Sequence, residues 1–161
     1  MRLILIVGLA VVIAIVIYVA IHHEITKHAT LIVRRAAQEN TDEAMRAVLP
    51  TLEQHQLLQK KQIQFSSSQT VADVWGRGVM AFEYILPKKN ISTNELELVT
   101  KLLNEQLEVY SQTNQVKRVK ESNRAFIVTD TWLFEGKLHL DIAYLMNEAT
   151  YEYVRDLKRI D

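Results

Sequence analysis

The N-terminal positions show no alternation of hydrophobic and polar residues. From Leu3 to Ile21, nineteen consecutive residues are uncharged, and only Tyr18 brings a polar side-chain group. At about 1.5 Å per residue the run spans roughly 28 Å as a helix, close to the ~30 Å hydrocarbon thickness of a bilayer. The pattern predicts a transmembrane anchor over residues 1–22, with the Tyr18 hydroxyl at headgroup level. A cleavable signal peptide has a shorter apolar core of about 7–15 residues followed by a small-x-small site. Here the cut after Ala20 would place bulky Tyr18 two residues before it, so an uncleaved signal-anchor is expected.

Beyond the run the period becomes helical. Ile25, Ala29, Ile32 and Ala36 recur at helical spacing, which extends the anchor outward as a helical stalk over residues 23–65. Asn40-Thr41-Asp42 is the expected interruption, with Thr41 as cap and Asp42 and Glu43 at the positive end of a new helix. Met45, Val48, Leu49 and Leu52 form the next stripe, and Pro50 either kinks that helix or opens a fresh one. Phe65-Ser66-Ser67-Ser68 reads as the loop before a small α+β domain over residues 66–161.

Residues 70–86 fit two periods. Val71, Val74, Trp75, Val79 and Phe82 make a helical stripe, yet Gly76 and Gly78 would each cost about 1 kcal/mol inside a helix. Met80, Phe82, Tyr84 and Leu86 alternate as one face of a strand. A short helix or turn at 70–75 and a strand at 78–86, ended by Pro87, is the favoured reading.

Ser92 with Glu95 three residues later is a capping box, and Ile91 with Leu96 a hydrophobic staple. Leu96, Val99, Leu103, Leu107 and Tyr110 then form the stripe of an amphipathic helix over 92–113, stopped at Asn114. Val116 to Lys120 reads as a short strand. Ala125–Phe134 and Lys137–Met146 read as a hairpin. A three-residue loop with Gly136 in a bulge would pair Leu133 with Lys137, Trp132 with Leu138, Val128 with Ile142 and Phe126 with Tyr144. It would gather Thr129, Thr131, His139 and Asp141 on the opposite face. A two-residue turn would set Asp130 against Asp141, and facing like charges destabilise a sheet, so the bulged turn is expected. The tail is either a final helix, with Ala149, Tyr153, Leu157 and Ile160 at helical spacing, or a fourth meander strand; Asn147 as cap and Glu148 in the first turn favour the helix.

Composition changes this picture little. Among 161 residues, 19 basic and 19 acidic groups balance to zero formal charge, and the basic clusters are short and scattered. The concentrated positive face that nucleic acid requires is missing from the sequence. There is no cysteine, which excludes disulfides, thiol catalysis and cysteine zinc sites. Within about fifteen residues after the anchor come Lys27, Arg34 and Arg35, against Arg2 before it. The positive-inside count leans slightly toward a cytoplasmic domain without fixing the side.

No catalytic residue, cofactor site or metal site is identified. His22, His23, Glu24 and His28 read as interfacial residues, and His55 as solvated. Gly76-Arg77-Gly78 lacks the spacing of a phosphate loop, and Ser66-Ser67-Ser68 lacks the surroundings of a nucleophile elbow. The ligand candidates are Trp132, His139 and Asp141, with Asp130 nearby on the same hairpin. A carboxylate beside an imidazole suits acid–base chemistry, although alternating polar residues on a wet sheet face look the same.

The sequence therefore predicts an α+β protein: transmembrane helix, helical stalk, then an amphipathic helix on a 3–4 strand antiparallel sheet in a β-α-β-β-β-like meander. The order helix, strand, helix, meander resembles small cystatin-like or NTF2-like anchored domains, a likeness of fold that implies no activity. The expected role is a non-catalytic accessory protein whose partners are the lipid bilayer and another membrane or membrane-associated protein. The alternative is a membrane-tethered enzyme or small-ligand binder using the sheet face around Trp132, His139 and Asp141.

Overall fold

The computed structural model describes residues 2–71 and 78–160, with the side chains of 2–5, 26–28, 158 and 160 left aside. The elements follow in the order α1 (Arg2–Val48), α2 (Pro50–Gln54), β1 (Gln69–Thr70), β2 (Ala81–Pro87), α3 (Thr93–Thr113), β3 (Phe126–Phe134), β4 (Lys137–Tyr144) and α4 (Glu148–Ile160). The protein is α+β, with a long N-terminal helix and a four-stranded antiparallel sheet. The chain divides into two compact units, Met1–Arg35 and Ala36–Asp161.

The first unit is helix alone. Between Ile6 and Ile21 its large apolar side chains lie on every face and are all half-exposed or more. This stretch makes the helix long and apolar enough to cross a membrane. Ile25 and Ile32 remain exposed beyond it.

In the second unit α1 continues without the interruption expected at Asn40-Thr41-Asp42. The Thr41 hydroxyl donates to the Ala37 carbonyl at 2.7 Å, satisfying itself within the helix rather than capping a new one. Asp42 accepts from the Tyr84 hydroxyl at 2.7 Å, tying the helix to β2. Burial and that carboxylate push the Tyr84 phenol far above its ordinary range. Pro50 opens α2 in its first turn, where its missing N–H costs nothing. Ala37, Ala44, Met45, Val48, Leu49, Leu52, Leu57 and Leu58 are all buried in the main core. The boundary expected at 66 thus falls inside the second unit, because the stripe begun at Ala37 packs as interior.

β1 and β2 pair through Gln69–Glu83 and Thr70–Phe82. Strand order is β1-β2-β4-β3, so α3 is the connection that carries the chain from β2 to the far edge. The fourth strand is therefore β1, not a member of a meander. The stretch 116–119 is irregular, with the Val119 N–H donating to the Leu145 carbonyl at 2.9 Å. β2 starts at Ala81 rather than 78, after Gly78 at φ 95°. Val74, Trp75, Gly76 and Arg77, for which a short helix or turn and a glycine entry are expected, lie outside the described residues.

The capping box closes α3 as expected, with Ser92 and Glu95 exchanging hydrogen bonds. Those bonds hold the Glu95 carboxyl below its ordinary value. Asn114 ends the helix, but the left-handed residue is the next one, Gln115, at φ 50°. Val99, Leu102, Leu103 and Leu107 of α3 join one sheet face, where Phe82, Tyr84 and Leu86 meet Leu138, Leu140 and Ile142. The final helix forms, and the Asn147 side chain accepts from the Thr150 N–H at 2.9 Å. Val154 of α4 packs with Ala81, Ala143 and Leu145 on the sheet's second face.

Candidate functional site

The hairpin β3–β4 differs from the expected register, and the difference builds the site. Glu135 and Gly136 both have positive φ, 49° and 70°. They form the two-residue turn whose twist matches a hairpin, pairing Phe134 with Lys137 and Trp132 with His139. The extra residue lies further along, as a bulge between Val128 and Asp130. Past the bulge the expected pairs Val128–Ile142 and Phe126–Tyr144 are recovered. Moving the bulge from the turn to Thr129 shifts the tip by one residue. Trp132 thereby joins the face of His139, and Thr131 turns to the core side, where its hydroxyl meets that of Thr100 at 2.9 Å.

The unfavourable pairing that argued against this turn is present: Asp130 faces Asp141. On the other side of β4, Glu83 faces Asp141 as well. One row across β2, β4 and β3 is therefore Glu83, Asp141, Asp130. The next row is Ile85, His139, Trp132. His139 Nδ1–H donates to Glu83 Oε1 at 2.6 Å, which fixes the ring and leaves Nε2 as its second polar atom. The Trp132 indole stacks on the imidazole with centroids 5.0 Å apart and planes 22° apart. Phe134 meets the same ring edge-on at 6.1 Å.

His139 and Asp141 are each 8% exposed. Among the described residues, neither His139 Nε2 nor Asp141 Oδ1 has a hydrogen-bond partner, and buried polar atoms are nearly always paired. Burial first, then the charges of Glu83 and Asp130, push the Asp141 carboxyl up to about 7, while His139 pulls it the other way. Burial, followed by the Asp141 charge, raises the Tyr153 phenol of α4, and a hydrogen bond to Thr129 opposes that. Thr129 also donates to the Asp141 carbonyl at 3.2 Å.

All three candidates from the sequence, Trp132, His139 and Asp141, thus meet on one face, with Asp130 beside them. Glu83 and Tyr153 were missed. Glu83 occupies the alternate face of the strand predicted at 78–86, but nothing local to it announces that β2 lies against β4. Among the described residues, no group of three or more His, Asp and Glu side chains could hold a metal ion.

A groove of about 470 Å3 lies between α3 and β3, lined by Leu96, Thr100, Lys101, Val128 and Asp130 among others. The adjoining edge of β3 is already occupied at two positions. The Val128 N–H donates to Asn104 Oδ1 at 3.0 Å, and the Thr131 N–H to Asp130 Oδ1 at 2.7 Å. With the bulge, these bonds blunt the edge against strand addition.

No protein-family model, no curated protein and no solved structure matches this chain.

Proposed function

We propose that this is a single-pass, membrane-tethered accessory protein whose α+β domain binds another protein at the membrane without catalysing a reaction. One observation carries the reading: the helix between Ile6 and Ile21 is apolar on all sides and buries none of that surface. Water disfavours such a surface and a bilayer accepts it. The packed unit Ala36–Asp161 then acts as the working part of a tethered molecule. The test is photo-cross-linking in intact cells from single positions on the exposed faces of α3 and α4. Repeated capture of one membrane-associated protein, lost when a neighbouring surface residue is changed, supports the reading. Recovery of uncross-linked monomer from every position would overturn it.

A second reading is supported by a different observation. His139 and Asp141 lie buried together on the second sheet face, each with a polar atom that has no partner among the described residues. This favours a membrane-tethered small-ligand binder or enzyme using Trp132, His139 and Asp141. Ligand-induced shifts in the His139 ring resonances, abolished in W132A while partner capture persists, would separate it from the first reading.

A further inference from the structure

We propose that Glu83, Asp141 and Asp130 form a site for an organic cation, a primary ammonium or guanidinium group, on the second face of the sheet. The proposal deepens the ligand-binding reading above and rests on it.

Glu83, Asp141 and Asp130 are direct cross-strand partners in one row across three strands, and the charges of Glu83 and Asp130 both act on Asp141, an arrangement that like charges oppose. The imidazole of His139 engages Glu83, and among the described groups that act on Asp141 it is the one potential cation against three acids. Asp141 in the middle is 8% exposed, and its Oδ1 accepts no hydrogen bond from the described residues. Its flanking partners are more open, for the Glu83 side chain is 22% exposed and Asp130 is exposed. The row therefore has a buried acceptor at its centre and reachable carboxylates on either side. His139, held through Nδ1, adds in the adjoining row a second buried atom, Nε2, without a partner among the described residues.

The chemistry of this lining selects among ligands. An anion would meet three carboxyl groups, and a neutral polar group would leave their repulsion unrelieved. The described residues do not group as a metal ion requires. An alkylammonium or guanidinium offers several N–H donors and a spread charge, matching acceptors distributed along a row. The neutral-range titration of Asp141 fits such a site, since a bound cation would release the Asp141 proton to solvent. Among the described residues, the ionisable groups facing Asp141 are Glu83 from β2, Asp130 from β3, His139 from β4 and Tyr153 from α4. Cation affinity should accordingly rise with pH between 6 and 8.

The experiment is a titration of the full-length protein in maltoside micelles and amine-free phosphate buffer, followed by the Trp132 indole and His139 ring NMR signals. The probes are ethylammonium, ethylguanidinium, propionamide and propionate, together with a blocked tetrapeptide carrying one Arg. Saturable shifts with a cation support the site if they weaken at least tenfold in D141N and in D130N, and several-fold on going from pH 8 to pH 6. Asp130 is exposed, so D130N tests the row without disturbing the interior. Tighter binding of the Arg peptide than of ethylguanidinium identifies a protein side chain as the source, and equal binding a free amine. Binding of propionamide or propionate in place of the cations would overturn the cation proposal while leaving a ligand site standing. Silence from every probe, or cation shifts unchanged in both variants, would overturn the proposal as well, and silence would remove the ligand reading with it.

Discussion

Asp130 and Asp141 face one another across β3 and β4, and Asp141, the more buried of the two, holds its proton to about 7. In the unfolded chain the same carboxyl titrates near its ordinary 3.8. Between these values the unfolded state is ionised while the folded state keeps its proton. Folding then takes up a proton, and stability falls as pH rises through this window, levelling off above about 7. The shift sets an upper limit of about 4 kcal/mol. Asp141→Asn removes the penalty. Urea unfolding in detergent should show the variant gaining on the native protein from pH 4 to pH 8, and a pH-independent difference would refute the assignment.

Tyr84 and Asp42 form the buried bond that fastens the last turns of α1 to β2. Tyr84→Phe deletes the donor and leaves the Asp42 Oδ1 acceptor without it, with Arg46 Nη2 still 3.9 Å from Oδ2. A loss of about 1–3 kcal/mol is expected. A double-mutant cycle with Asp42→Asn should give a coupling energy above about 0.5 kcal/mol. Additive effects would mean that the bond contributes nothing of its own.

The turn at Glu135-Gly136 requires left-handed backbone at both positions. Glutamate tolerates this poorly, so Glu135→Asn should stabilise by roughly 0.5–1 kcal/mol. A Cβ on Gly136 would meet Lys89 only at 3.8 Å, an ordinary contact. Gly136→Ala should therefore cost only the backbone term, about 1–2 kcal/mol. Thermal melts of the two variants should move in opposite directions.

The apolar helix makes the tether testable with one charge. Val12→Arg places a guanidinium at the centre of the run, at roughly 2.5–3.5 kcal/mol by insertion scales. Native protein should resist carbonate extraction from membranes, and the variant should be recovered largely in the soluble or aggregated fraction. Equal retention of both would argue that the helix does not sit in lipid.

The elements that were legible in the sequence are those specified by neighbours in the chain. Ser92 and Glu95 announce α3 because a capping box is closed by residues three apart. Asn147 announces α4 for the same reason. What local pattern could not show is which strands meet. Val116–Lys120 has strand-like residues yet stays irregular, its Val119 N–H reaching the Leu145 carbonyl just past β4, whereas Gln69–Thr70 does pair with β2. The hairpin tip departs from the expected register because the Asp130–Asp141 repulsion does not act in isolation. Burial and a retained proton on Asp141 make that pairing tolerable, and the bulge near Thr129 restores the apolar register beyond it. Glu83 entered the site through a pairing between residues far apart in sequence, so only the folded sheet could reveal it.

The residues between Ala37 and Leu58 supply interior side chains, Met45, Leu49 and Leu52 among them. They will not behave like a spacer whose length and composition can drift. A mutational scan should find polar substitutions there as damaging as those in β4. A recombinant fragment starting at residue 66, the natural choice from the loop at Ser66-Ser67-Ser68, would expose the hydrophobic surface that these helical turns normally cover. Such a fragment should aggregate, whereas one starting at Ala36 keeps its lining intact.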